Sequence, residues 1–89
     1  MIVSFKKAFL KDLEKLNEDD AWKIKRIVFD SFPKVTLLSE LPNLKKLKGN
    51  SSFYRIRVGD YRIGFELRST DHIVFYRVLH RKDIYKYFP

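Results

Sequence analysis

The sequence predicts an α+β fold in which an N-terminal helical hairpin packs on one face of a small antiparallel β-sheet. Three observations support this prediction. Apolar residues recur at helical spacing in the first third of the chain, two alternating apolar and charged runs flank Gly59-Asp60, and a further run over 72–79 is apolar on both faces. At 89 residues, the chain is expected to form a single domain spanning residues 1–89.

The first part of the chain predicts the two helices of the hairpin. After a short extended start over residues 1–4, apolar residues follow helical spacing over 5–16, and Ser4 is the expected N-cap. Residues 17–20 break this spacing, and the three acidic residues among them suit the start of a second helix, because carboxylates stabilise a helix N-terminus. Pro33 is expected to end that helix, since proline disfavours helical backbone at the residue before it.

The rest of the chain predicts three strands. Residues 34–50 are predicted to form a connection with one short helical turn, followed by strands over 52–58 and 61–68. The third strand is apolar on both sides, which predicts a central, doubly covered strand. Its two predicted faces carry Ile73, Phe75 and Leu79, and Val74, Tyr76 and Val78. Residues 81–89 are predicted to form a short helical or irregular tail.

Composition and charge indicate a packed cytoplasmic protein that binds a polyanion. The formal net charge is +8, hydrophobic residues make up 45% of the chain, and the absence of cysteine excludes disulfides and suits a reducing compartment. Residues 1–40 carry eight basic and seven acidic side chains, whereas residues 41–89 carry eleven and four. This arginine-rich half favours a polyanion-binding face over an ordinary solvated surface. Residues 1–5 are too short for a signal peptide, and no apolar run reaches membrane-spanning length, so no membrane partner is expected.

The hairpin around Gly59-Asp60 carries the strongest functional signal. A two-residue turn predicts the cross-strand pairs Val58 with Tyr61, Arg57 with Arg62, Ile56 with Ile63, and Arg55 with Gly64. Alternation then puts the three arginines on one face and the isoleucines on the other. Like charges directly across a sheet repel, so we expect a polyanion to neutralise them. The helices are expected to cover the isoleucine face, which leaves the arginine face open, with room for a ligand beside Gly64.

The residue types on this face suggest phosphate chemistry. Three guanidinium groups close together would bind a phosphodiester and stabilise charge that develops on it. The alternative is that the arginines pair with Glu66 and Asp60, or bind an acidic protein without chemistry. Lys45, Lys46 and Lys48 would either add diffuse attraction to a nucleic-acid backbone or be solvated on a turn.

A second group of candidate residues follows the last strand and could reach the same face. His80 could transfer protons near neutral pH, Arg81 could hold a phosphate, and Tyr85 could stack on a base. The spacing of His80 and Tyr85 is equally consistent with a structural histidine and a tyrosine that only packs against the core. His72 and His80, eight residues apart, do not form a metal-binding pattern, and no phosphate-binding glycine loop is present. Neither a metal ion nor a nucleotide cofactor is therefore expected.

Three segments together resemble the RelE/ParE superfamily of toxins from toxin–antitoxin systems, and specifically its RelE-like branch. They are LKKLKG over 44–49, YRIRVGDYRI over 54–63 and VLHRKDIY over 78–85. The resemblance implies a cytoplasmic toxin with a RelE-like fold, silenced by a cognate antitoxin. It also implies a metal-independent endoribonuclease that cleaves mRNA in the ribosomal A site, where the 2′-hydroxyl of the substrate attacks the adjacent phosphate.

The resemblance implies roles for individual residues. Arg62 and Arg81 would stabilise the pentacoordinate phosphate. Arg55 and Arg57 would position phosphates, and Tyr85 would stack on the nucleotide or orient it.

Two other functions stay open. ParE-like members share the fold but act on DNA gyrase without the catalytic set, and a catalytically silent module would only bind an antitoxin. The antitoxin is expected to offer an acidic and apolar segment that wraps the domain and either docks on the sheet or displaces the C-terminal tail. In doing so it would cover or distort the arginine face. Operator DNA would be bound only through that antitoxin.

Overall fold

The structure, a computed structural model, describes residues 1–49 and 52–89 and contains a mixed five-stranded sheet in the order β1-β5-β4-β3-β2. The strands are β1 (Ile2–Phe5), β2 (Leu44–Lys46), β3 (Phe53–Val58), β4 (Tyr61–Ser69) and β5 (His72–His80). The helical segments are α1 (Lys7–Glu14), α2 (Glu18–Lys25), a π-helical segment (Arg26–Ser31), α3 (Phe32–Lys34), a 3₁₀ turn (Leu38–Glu40) and α4 (Ile84–Tyr87). No helix in the described ranges has the length and apolar character needed to cross a bilayer.

The β3–β4 hairpin has the register that its turn predicted. Arg57 pairs with Arg62 and Arg55 pairs with Gly64, and each strand differs from its predicted bounds by one residue at one end. Gly59, the first residue of the turn, has a φ of 58°, in the left-handed region that glycine enters without strain. The three hairpin arginines therefore share one face of the sheet, as predicted.

The core lies between the opposite face of this hairpin and the N-terminal helices. Its buried side chains are Phe9, Leu13, Ile24, Val28, Phe32, Ile56, Ile63, Phe65, Ile73, Phe75 and Val78. Phe32 meets Phe65 and Phe75 edge-on, with ring centroids 5.2 and 4.9 Å apart. Such aromatic pairs contribute more than their buried area alone. The prediction that the helices cover the Ile56 and Ile63 face is confirmed.

The N-terminal prediction was wrong in two respects. β1 runs parallel to β5, so the sheet is antiparallel only from β5 to β2. Ser4 is not the N-cap of α1, because Ser4 still lies in β1, where its hydroxyl is 2.6 Å from Nε2 of His72. The N-cap position is occupied by Lys6, whose side chain makes no capping hydrogen bond.

The second helix begins as predicted and continues past its predicted end. The side chain of Asn17 accepts a hydrogen bond from the Asp20 N–H at 2.9 Å and caps α2. Helical backbone continues through the π-helical segment and Pro33 to Lys34. Proline is tolerated in the first turn of a helix, and Pro33 occupies that position in α3.

The connection between the helices and the hairpin contains a strand that the sequence analysis did not predict. Its single predicted helical turn is confirmed as the 3₁₀ turn, but Leu44–Lys46 forms β2 and pairs with β3. Residue 50, the predicted end of the connection, lies outside the described residues.

A β-bulge at Tyr76 changes which residues of β5 face the core. Gly64 pairs with Arg77 but Phe65 pairs with Phe75, so Tyr76 is the extra residue. Beyond the bulge, Val78 instead of Leu79 enters the core. The predicted faces of β5 were therefore wrong after Tyr76. The prediction of a central, doubly covered strand is confirmed for its first half, because β5 lies between β1 and β4 and Ile73, Val74 and Phe75 are buried.

The second half of β5 has no strand beside it on the β1 side, and the carboxylate of Asp12 hydrogen-bonds to that edge instead. β1 pairs only with the first four residues of β5. Asp12 of α1 accepts a hydrogen bond from the Val78 N–H at 3.1 Å, and from Nε and Nη2 of Arg77 at 2.7 and 2.9 Å. With 4% of its surface exposed, Asp12 fastens α1 to the sheet through a buried, bidentate ion pair.

Candidate phosphate-binding site

Four arginines converge near the turn of the hairpin, and we term them the arginine cluster: Arg55, Arg57, Arg62 and Arg81. The first two lie on β3 and the third on β4, where the register sets Arg62 directly opposite Arg57. Arg81 follows β5, and its N–H donates to the carbonyl of Asp60 at 2.8 Å. This backbone hydrogen bond ties the end of β5 to the hairpin turn and brings Arg81 beside β4.

The charges of the cluster are close enough to act on one another. Burial has the largest effect on the pKa of Arg62 and lowers it below its ordinary value. The positive charges of Arg55, Arg57 and Arg81 lower this pKa further, while Tyr85 opposes the shift. Arginine remains protonated even so. The cluster is therefore a set of mutually repelling cations, an arrangement that a bound polyanion would relieve.

Hydrogen bonds to uncharged acceptors orient these side chains. Nη1 of Arg62 donates to the carbonyls of Gly59 and Tyr61, each at 2.9 Å. Nη2 of Arg57 donates to Oδ1 of Asn43 at 3.0 Å. The guanidinium groups of Arg62 and Arg57 are thus oriented by acceptors that do not neutralise their charge.

The alternative in which Glu66 and Asp60 neutralise the arginines is wrong. Across residues 1–49 and 52–89, the ion pairs join Arg68 to Glu66, Arg77 to Asp12 and Lys86 to Asp83. Burial alone would raise the pKa of Glu66. Hydrogen bonds from Tyr76 and Arg68 outweigh that effect and hold the pKa below its usual range. The carboxylate of Glu66 therefore binds Arg68 and Tyr76, at the end of β4 away from the hairpin turn.

Tyr85 joins the cluster from the C-terminal helix α4. Its hydroxyl accepts a hydrogen bond from Nε of Arg55 at 2.9 Å, and 57% of its surface is exposed. α4 lies on the arginine face, because the Phe88 ring that follows it packs against Gly64. The expected room for a ligand beside Gly64 is thus filled by Phe88.

His80 lies on the other face of the sheet. It pairs with Tyr61, the two ring centroids are 5.9 Å apart, and its Nδ1 accepts a hydrogen bond from the Lys82 N–H at 3.2 Å. Leu79, instead, pairs with Arg62. The expectation that His80 could reach the arginine face does not hold, because the bulge at Tyr76 shifts the alternation of β5 by one residue.

The sequence of the whole chain matches known proteins. The sequence model of the family described as ParE toxin of type II toxin–antitoxin system, parDE, matches residues 3–85. Toxin RelE3 of Methanocaldococcus jannaschii is 46% identical over 89 residues, which is 100% of both chains. The chain belongs to the RelE/ParE superfamily. It is a RelE-like toxin of a type II toxin–antitoxin system.

Solved structures of RelE-like toxins share the fold. The RelB–RelE antitoxin–toxin complex of Methanococcus jannaschii contains a chain with a TM-score of 0.78 and 44% identity, covering 97% of this chain and 99% of that one. The RelBE2 toxin–antitoxin complex of Mycobacterium tuberculosis gives a TM-score of 0.72 at 23% identity, covering 90% and 96%. At 23% identity, the likeness to the Mycobacterium tuberculosis chain concerns the fold and not the function.

The three lysines predicted to attract a nucleic-acid backbone do not share one surface of this RelE-like toxin. Lys45 pairs with Arg55 and extends the arginine face, whereas Lys46 pairs with Tyr54 on the helix-covered face. Lys48 borders a hollow of about 260 Å³ between β2 and the C-terminal tail. Its other lining residues are Lys45, Leu47, Tyr85, Phe88 and Pro89. Lys45 and Lys48 therefore flank the open site, and Lys46 does not.

Two residues of the site in this RelE-like toxin were missed by the sequence analysis. Asn43 accepts the hydrogen bond that orients Arg57 and has a φ of 62°, a left-handed conformation that asparagine tolerates better than most residues. The Pro42-Asn43 pair is a turn signal that could have identified this position. Gly59 contributes a carbonyl to Arg62, which no sequence signal identifies.

Proposed function

We propose that this RelE-like toxin is a metal-independent, ribosome-dependent endoribonuclease that cleaves mRNA in the ribosomal A site. The observation that carries the proposal is the arginine cluster, four guanidinium groups free of carboxylate partners within the described residues and joined by the hydroxyl of Tyr85. Such a set suits the binding of a phosphodiester and the stabilisation of extra charge on it. We treat residues 1–89 as one catalytic domain working in the cytoplasm.

The proposed reaction is an internal phosphoryl transfer. The substrate's 2′-oxygen attacks the adjacent phosphorus, a P–O2′ bond forms and the P–O5′ bond breaks. The products are a 2′,3′-cyclic phosphate and a free 5′-hydroxyl, and the proton lost by the 2′-hydroxyl is balanced by the one gained by the 5′-oxygen. Arg62 and Arg81 would stabilise the charge on the pentacoordinate phosphate, each such donor contributing about 10²- to 10³-fold.

The other residues of the site would position the substrate. Arg55 and Arg57 would hold flanking phosphates, with Lys45 and Lys48 adding diffuse attraction. Tyr85 is exposed and would stack on or orient a nucleotide. Because arginine stays protonated, none of the four is a suitable general base, and the proposed reaction relies mainly on positioning of the phosphate inside the ribosome.

Replacing His80 with alanine is expected to leave the cleavage rate close to that of the wild type. The side chain lies on the face opposite Arg62 and contacts Tyr61, so its removal alters packing but not the proposed site. The measurement is the rate of mRNA cleavage in a purified translation system, with the melting temperature recorded alongside. A loss of about 10²-fold or more, the size expected for a general base, would restore His80 to the catalytic set.

We also propose that the toxin is silenced by a cognate antitoxin. The related structures are antitoxin–toxin complexes of RelB with RelE. An acidic and apolar segment of the antitoxin would cover the arginine cluster, since the net charge of +8 favours an acidic partner. Operator DNA would be bound only through that partner.

The experiment that tests the proposed function is primer extension on mRNA in a purified translation system. Cuts that follow the codon frame and require ribosomes support the nuclease. The match to the ParE toxin family favours one competing function, a gyrase inhibitor that performs no chemistry. Intact message together with gyrase-linked DNA breaks would identify that function, and intact message without such breaks would indicate a silent binding module.

A further inference from the structure

We propose that Phe88, packed against Gly64, is a positioning residue that holds the hydroxyl of Tyr85 at the arginine cluster. The kinetic part of this proposal rests on the proposed nuclease function. The contact between Tyr85 and the cluster can also be measured without any cleavage. The positioning role of Phe88 and the proposed nuclease function can therefore be disproved separately.

Gly64 leaves a space that the Phe88 ring fills. A Cβ atom at position 64 would lie 2.5 Å from Cδ2 of Phe88 and 2.7 Å from both Cε2 and Cγ. These distances are shorter than any real Cβ contact, so even alanine at 64 would push the ring away. The backbone of Gly64 is extended β-strand and not left-handed, so no turn requires a glycine there. The lack of a side chain at Gly64 therefore allows the C-terminal tail to pack against β4.

Phe88 is a buried anchor at the end of the tail. It is 3% exposed, and its ring lies edge-on to Phe53 and Tyr76 at centroid distances of 5.7 and 5.9 Å. Its N–H donates to the carbonyl of Ile84 at 2.9 Å, and Ile84 is itself fully buried. A four-residue helix has little stability of its own, so these two anchors decide where α4 sits.

Phe88 packs directly beside the hydrogen bond between Arg55 and Tyr85 that it would position. Gly64 and Arg55 are cross-strand neighbours, and Nε of Arg55 donates to the hydroxyl of Tyr85 at 2.9 Å. Tyr85 lies in α4, and Phe88 is the C-cap residue of that helix, three positions later. Displacement of the Phe88 ring should therefore move α4 and, with it, the hydroxyl of Tyr85. On the other side of α4, Arg77 lies over the ring of Tyr87 at 5.6 Å, a more exposed contact that does not reach the cluster.

The kinetic test is a double-mutant cycle between positions 64 and 85. Gly64→Ala and Tyr85→Phe are each expected to lower the cleavage rate about 10- to 100-fold, the size of effect that a misplacement near 1 Å causes. If Gly64 acts through Tyr85, the double variant is no slower than the slower single variant. Losses that multiply would overturn the proposal, as would a folded Gly64→Ala variant of wild-type activity. Lys86→Ala, an exposed change on the same helix, is the control and should leave the rate unchanged.

The direct test uses the N–H signal of the Arg55 side chain in nitrogen-15 NMR of the full chain. The wild type should show a shifted signal whose exchange with water is slowed by the bond to Tyr85. Gly64→Ala should lose that signature as completely as Tyr85→Phe does. Phe88→Leu removes the ring without a clash and provides the same readout if Gly64→Ala does not fold. An unchanged signature in folded Gly64→Ala or Phe88→Leu protein would overturn the proposal, whether or not the wild type cleaves RNA.

Discussion

Replacement of Arg62 with alanine is expected to lower the rate of ribosome-dependent mRNA cleavage about 10²- to 10³-fold, corresponding to about 3–4 kcal/mol of transition-state stabilisation. Arg62 is the central member of the cluster, since the charges of Arg55, Arg57 and Arg81 all act on it. Its guanidinium is held by two backbone carbonyls, so it is oriented before the substrate binds. Pre-oriented donors are the ones that favour a transition state over a ground state.

The same substitution should leave the folded state intact. Arg62 stands directly opposite Arg57, so its removal relieves repulsion across the strands and should not lower the melting temperature. Arg68→Ala is the matched control: it removes an arginine from the same strand, but one that is paired with Glu66 at the far end. The Arg68→Ala variant should cleave mRNA at the wild-type rate. An Arg62→Ala variant as active as Arg68→Ala would remove Arg62 from the mechanism.

Replacement of Asp12 with alanine is expected to have the largest effect on stability, a loss of about 3 kcal/mol. The change removes three hydrogen bonds at once and leaves the Val78 N–H and the guanidinium of Arg77 without their acceptor. For a domain of this size, the melting temperature should fall by roughly 12–24 °C. The measurement is thermal unfolding followed by circular dichroism.

Two further variants make the test of Asp12 specific. Asp12→Asn keeps an acceptor for Val78 but loses the charge opposite Arg77, so it should fall between the wild type and Asp12→Ala. Glu14→Ala removes an exposed carboxylate from the same helix and should change stability by less than about 0.5 kcal/mol. Equal melting temperatures for Asp12→Ala and Glu14→Ala would show that the buried ion pair does not fasten α1 to the sheet.

The hairpin could be predicted in detail because its register is local. A two-residue turn at Gly59-Asp60 sets every pair along β3 and β4, so the shared face of the three hairpin arginines follows from counting alone. β2 could not be predicted in the same way. It is three residues long, contains two adjacent lysines and exists through its pairing with β3. A segment this short shows no alternation that a sequence pattern can detect.

The face of His80 could not be predicted because of one extra residue. Counting by twos from Ile73 fails beyond Tyr76, since a bulge is decided by how β4 and β5 fit together over their whole length. The docking of Phe88 on Gly64 was missed for a related reason. It joins residues 24 positions apart, and nothing near either residue in the sequence indicates it. Local patterns thus identified the arginines, while tertiary packing decided which further side chains accompany them.

The measurement that tests the central claim most directly is the identity of the RNA ends made by the purified toxin on programmed ribosomes. We predict that the upstream fragment ends in a 2′,3′-cyclic phosphate and that the downstream fragment begins with a 5′-hydroxyl, both detectable by mass spectrometry. A message carrying a 2′-O-methyl group at the cut site should stay intact. Fragments with a 5′-phosphate, or cleavage of the methylated message, would contradict the claim that the arginine cluster binds a phosphodiester attacked by its own 2′-hydroxyl.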